Sequence, residues 1–67
     1  MFDKAYRDAK AIFKEHGQVE LIFRYADGGV EHKLFDNINN LRCVLKFMLN
    51  MYKDEVTVDS IKFEKRY

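Results

Sequence analysis

Residues 19–35, VELIFRYADGGVEHKLF, decide how this chain folds. Val19, Leu21, Phe23 and Tyr25 alternate with Glu20, Ile22 and Arg24, the two-residue period of a strand with one apolar face. After Asp27-Gly28-Gly29 the alternation resumes, with Val30, His32 and Leu34 opposed to Glu31, Lys33 and Phe35. Asp-Gly between two alternating segments is a strong short-range signal for a β-hairpin. A two-residue type I′ loop at Asp27-Gly28 predicts the pairs Arg24 with Glu31, Phe23 with His32, Ile22 with Lys33 and Leu21 with Leu34. Faces then match and opposite charges meet. A loop on Gly28-Gly29 sets Arg24 against Lys33, and a three-residue loop sets Phe23 against Lys33, so the first register is the expected one. A phosphate cradle leads from a strand into a helix N-terminus, whereas these glycines lead into another strand. The stretch therefore reads as a turn with no ligand role.

Upstream, Phe2, Ala5, Tyr6, Ala9, Ile12, Phe13 and His16 recur at spacings of three and four. They form one face of an amphipathic helix, with an apolar arc of about 120°. Gly17 closes it, because glycine takes the left-handed conformation without steric cost. Downstream, Asp36 or Asn37 caps a second helix over INNLRCVLKFMLNMYK. Asn39, Arg42, Lys46, Asn50 and Lys53 fall in a polar stripe about 80° wide, and the apolar arc spans about 240°. Such a helix needs cover on two sides or more. Asn39 and Asn40 are poor helix formers, so packing must hold its first half.

The tail EVTVDSIKFEKRY is rich in β-branched residues and reads as a third strand. Its parity breaks: Val56 and Val58 share one face, Ile61 and Phe63 the other. Either a bulge near Asp59-Ser60 returns all four to the core, or an extended lead-in precedes a strand that starts at Ser60. The element order is then α-β-β-α-β in a single domain, residues 1–67. Strand three returns parallel to strand two, and right-handed crossover geometry lets it lie beside strand two or on the far side of strand one. Strand one is the most continuous apolar segment and suits the centre, which predicts order 2-1-3. With both helices on one sheet face, the expected fold is a two-layer α+β domain.

Composition narrows the function. At 67 residues there is little volume for a deep catalytic cleft. Twelve Lys and Arg against eleven Asp and Glu leave a formal charge of +1, too little to draw in nucleic acid or an anionic membrane. The lone Cys43 has no internal disulfide partner, which suits a reducing compartment. No apolar run approaches a membrane span, and MFDKAYRDAK is charged throughout, unlike a signal peptide. A complete cytoplasmic protein with no membrane partner is expected. His16 and His32 lack any HxxxH or HExxH spacing and read as structural, His16 at a helix C-terminus and His32 on the apolar face opposite Phe23. Cys43 reads as buried filler, and Met48 and Met51 as gap-filling core. No carboxylate pair stands out, so no metal, cofactor, small-molecule substrate or enzymatic activity is expected.

What remains is a small non-enzymatic interaction module that binds another protein or itself, of a size that suits bacterial or phage-encoded accessory proteins. Cys43, Phe47 and Met51 lie at the edge of the polar stripe on helix two and form the candidate protein interface. Ile22 and Phe35 on the outer sheet face would supply a second apolar area. The alternative is a nucleic-acid-binding module that uses Arg24, Lys33, Lys62, Lys65 and Arg66 on the open sheet face, with Phe35 stacking a base. The near-neutral charge, together with Glu20 and Glu31 on that same face, weighs against it.

Overall fold

The computed structural model describes residues 1–63. Helix α1 (Phe2–His16) leads into β1 (Val19–Tyr25), β2 (Val30–Phe35), helix α2 (Ile38–Tyr52), a 3-10 turn (Lys53–Glu55) and β3 (Val56–Ile61). The sheet order is β2-β1-β3, with β1 antiparallel to both neighbours, so the expected order 2-1-3 is the one adopted. The most apolar strand sits at the centre, where both its edges are hydrogen-bonded. Val19, Leu21 and Phe23 point from it to one face, and there Ala9 of α1 and Leu41, Leu45 and Met48 of α2 join them with Phe35 and Val56 in one buried cluster. Both helices therefore cover the same face, as their apolar stripes require.

Local chemistry fixes the helix ends. Gly17 takes φ 76° and its N–H donates to the Phe13 carbonyl at 2.7 Å, closing α1. Asn37 is the N-cap of α2, its Oδ1 accepting from the N–H groups of Asn39 and Asn40 at 3.0 Å each. The end of α2 carries a feature that pattern reading missed. Lys53 stands at φ 50° and ψ −116°, a region that disfavours a residue with a Cβ, and this turns the chain into the short 3-10 segment.

The hairpin forms, but in a different register from the expected one. Arg24 pairs with Val30, Phe23 with Glu31, Ile22 with His32, Leu21 with Lys33, and Val19 with Phe35. The loop holds three residues, Ala26-Asp27-Gly28. The Gly28 N–H donates to the Tyr25 carbonyl at 3.0 Å, and the Tyr25 N–H donates to the Gly29 carbonyl at 2.8 Å. Gly28 occupies φ 97°, the left-handed position that follows a type I turn in three-residue hairpins. Asp27 accepts from the Gly29 N–H at 2.8 Å, which uses its carboxylate inside the loop. The one-residue change turns β2 over. Phe35 moves into the core at 5% exposure, and Leu34 lies outside at 49%. His32 is accordingly not opposite Phe23 but on the uncovered face opposite Ile22. The inward Glu31 and Lys33 are tolerated because β2 is an edge strand, where they pair with each other at 3.6 Å with both side chains reaching solvent.

Strand β3 also differs from both expected forms. It pairs with β1 in unbroken register from Val56 opposite Tyr25 to Ile61 opposite Glu20, with no bulge and no late start at Ser60. Val56 and Val58 face the helices, and Ile61 is left on the other side, exposed. Register continuity kept every ladder bond, at the cost of leaving one isoleucine partly in water.

Two substitutions test the turns. Gly28→Ala should cost about 1 kcal/mol, all of it backbone strain, because a Cβ at Gly28 meets nothing within 4 Å. Lys53→Gly should change stability in the opposite direction, by up to about 1 kcal/mol, since relief of strain outweighs the added freedom of the unfolded chain. Urea midpoints of the two variants, one lowered and one raised, are the check.

Candidate functional site

The longest uncovered apolar feature is on α2. Leu41, Leu45 and Met48 are buried, while Ile38, Val44, Leu49 and Tyr52 are half-buried against the core. Sheet and α1 together cover those sides of the helix, and the remaining arc holds Cys43, Phe47 and Met51. All three are exposed, Phe47 at 59% and Met51 at 57%. Spaced four apart, they lie one above another along a single line on the helix surface. No described residue covers them. Cys43 is therefore not buried filler, and Met51 is not gap-filling core. Beside the stripe, Cys43 lines a shallow depression of about 340 Å³ with Phe2, Arg42 and Lys46.

The uncovered sheet face is built differently. Its residues are Glu20, Ile22 and Arg24 on β1, Val30, His32 and Leu34 on β2, and Thr57, Asp59 and Ile61 on β3. Ile22 has no helix over it and is nonetheless only 7% exposed. Two diagonal pairs, one a hydrogen bond to a histidine and one an ion pair, bracket it. Glu20 Oε2 meets His32 Nδ1 at 2.7 Å toward β2, and Arg24 pairs with Asp59 toward β3. These four side chains come from the positions that flank Ile22 along the strand and across it, which explains how it is shielded. The exposed Val30, Leu34 and Ile61 are thus separated by charge and form no continuous patch.

Among the described residues, those proposed for a nucleic-acid face do not come together. Arg24 is on the uncovered face, engaged with Asp59, and Lys33 points to the opposite, helix side. Phe35 is in the core and cannot stack a base. Lys62 is exposed just past β3, and Lys65 and Arg66 lie outside the described residues. Phe35 is thus excluded from any surface role, and Ile22 alone of the two expected outer residues is outward.

A third feature is the hairpin end. Tyr25 packs edge-on against Tyr52 at 5.1 Å between centroids and donates its hydroxyl to Glu31 at 3.2 Å. The Ala26 N–H donates to the Glu55 carbonyl at 2.8 Å, tying the loop to the 3-10 turn. Tyr25, Ala26, Asp27, Tyr52 and Glu55 line an open depression of about 330 Å³. Partial burial, then the Glu31 carboxylate as both charge and acceptor, raise the Tyr25 pKa above its ordinary value. The folded state therefore holds this proton more tightly than the unfolded state. Its contribution to stability is full below the ordinary tyrosine pKa of about 10 and is lost as pH rises from there through the folded value. An alkaline absorbance titration should show a late tyrosine ionisation, and Tyr25→Phe should remove that late step.

Among the described residues no group of three or more His, Cys, Asp or Glu side chains could hold a metal ion. In the same residues no helix is long and apolar enough to cross a membrane. His16 lies exposed in the last turn of α1, 3.9 Å from Glu15. No known protein family, curated protein or solved structure matches the chain.

Proposed function

We propose that this chain is a small non-enzymatic interaction module whose docking surface is the outer line of α2. The observation that supports the reading is the exposure of Phe47 and Met51 beside Cys43. An aromatic ring and a thioether on a rigid helix form the kind of patch that interface cores are made of, since the ring buries large apolar area at low conformational cost and the flexible thioether adapts to the surface it meets. The scaffold also holds this line firmly. Leu41, Leu45 and Met48 anchor the opposite side of the helix in the core, so the exposed residues are presented in one geometry.

The test compares the tagged wild type with Phe47→Glu. Both should fold, because Phe47 is exposed. The wild type should either self-associate or retain a partner from lysate at both low and high salt. That partner should bind again after purification, because apolar contacts survive salt whereas phosphate contacts weaken steeply. Phe47→Glu should lose the association. If neither self-association nor partner capture changes with Phe47→Glu, α2 is not the docking surface. Recovery of nucleic acid that disappears at high salt would instead favour the basic-surface alternative.

A further inference from the structure

Hydrogen bonding between β1 and β3 fixes which main-chain groups of β3 face away from the sheet. The Ala26 N–H donates to the Glu55 carbonyl, and in an antiparallel pair the residues that exchange bonds alternate along the strand. In the same register Thr57, Asp59 and Ile61 bond to β1, and the N–H and C=O groups of Val56, Val58 and Ser60 point out over the free edge. No described residue pairs with them. The other edge, at β2, is guarded by the inward Glu31 and Lys33, as charges guard edge strands. Val56–Ile61 has no lysine, proline or bulge. Val56, Thr57, Val58 and Ile61 are β-branched, and the one charge, Asp59, is already paired with Arg24.

The chemistry of such an edge names what it takes. Donors and acceptors that alternate at strand spacing are satisfied together only by another extended backbone. Helix α1 decides which kind. It packs on β3 as well as on β1, and its Met1, Lys4, Ala5 and Asp8 line an open depression of about 200 Å³ with Thr57 and Val58. Thr57 belongs to the uncovered sheet face and α1 lies over the other, so the depression opens at the edge between them. In a second copy joined edge to edge, the two α1 helices would stand over strands about 4.8 Å apart, closer than the roughly 8 Å that packed helices need. An extended segment that brings no helix avoids this collision. The side chains it turns toward α1 enter the depression beside Ala5.

The geometry points to a peptide-docking edge, at which β3 accepts an extended segment of another protein as a fourth, antiparallel strand. The segment carries small β-branched apolar residues toward α1, and threonine or lysine on the other face beside Thr57 and Asp59. This site lies apart from the outer line of α2 and does not depend on it.

The probe is a fluorescein-labelled peptide, Lys-Val-Thr-Val-Thr-Val-Lys-amide, titrated with the full chain and read by anisotropy. Its three valines fit opposite Val56, Val58 and Ser60, where their N–H and C=O groups meet the edge, while the main-chain groups of its threonines face water. Binding should saturate below about 1 mM. N-methylation of the three valines should weaken it at least about tenfold, and N-methylation of the two threonines by less than about threefold. Ser60→Pro removes one outward N–H and no bond to β1. Proline is tolerated in that setting on edge strands, so the variant should fold and bind several-fold more weakly. Phe47→Glu should bind the peptide like the wild type, which separates failure of this site from failure of the α2 surface. No binding up to about 1 mM overturns the proposal. So do equal effects of the two methylations, or a peptide that Phe47→Glu no longer binds. A wild-type dimer that Ser60→Pro converts to a monomer would overturn the foreign segment as occupant in favour of a second copy.

Discussion

Replacing Phe23 with alanine should leave the chain largely unfolded at room temperature. Phe23 is fully buried on the central strand, between Glu31 on β2 and Val58 on β3, and belongs to the cluster that Leu41, Leu45 and Ala9 close from above. Truncating a buried phenylalanine costs about 3–5 kcal/mol, from lost transfer energy and the cavity left behind. A domain of this length has roughly 3–10 kcal/mol in total. The loss is thus comparable with the whole stability. Small cores have few other contacts to share the damage, so relaxation around the cavity gives little back. Circular dichroism and a urea titration would check this, and a loss below about 1 kcal/mol would show that Phe23 is not central to the core.

The second large effect distinguishes two neighbours. Phe35→Ala should destabilise by about 3 kcal/mol, because the ring is buried beside Val19 at the edge of the core. Leu34→Ala should cost under about 1 kcal/mol, since half of that side chain is already in water. In the register that opposing charges favour, with Arg24 across from Glu31, the order of the two effects reverses. Equal slopes with denaturant in both variants would confirm that the difference is one of stability and not of compactness. The comparison bears on function as well, since a buried Phe35 is not available on the outer sheet face.

How much of this was legible depends on how strongly each pattern is over-determined. The period of α1, from Phe2 to Phe13, has one reading only, and Gly17 ends it at the expected place. The centre of the sheet was legible from β1, whose Val19, Leu21 and Phe23 leave no alternative inner face. The uncovered line of Cys43, Phe47 and Met51 was legible only in part: an apolar arc of about 240° exceeds what one sheet and one helix cover, but the same pattern also let Cys43 read as buried filler and Met51 as core. The turn at Asp27-Gly28 was evident, but its length was not. Asp27 is equally suited to a two-residue loop and to a type I turn whose third position it occupies while bonding the Gly29 N–H.

That ambiguity is where tertiary structure took over. The sequence by itself determined the elements, their order and the central strand, because each rests on a period repeated over many residues. The register of β2 and the course of β3 rest on single-residue choices, and local charge matching between Arg24 and Glu31 favoured the wrong one. In the folded chain Arg24 finds Asp59 and Glu20 finds His32, partners contributed by the two flanking strands. The core space beside Val19 takes the larger ring of Phe35 and leaves Leu34 outside, since burying the greater apolar area outweighs the placement of a few charges on an edge strand that water still reaches.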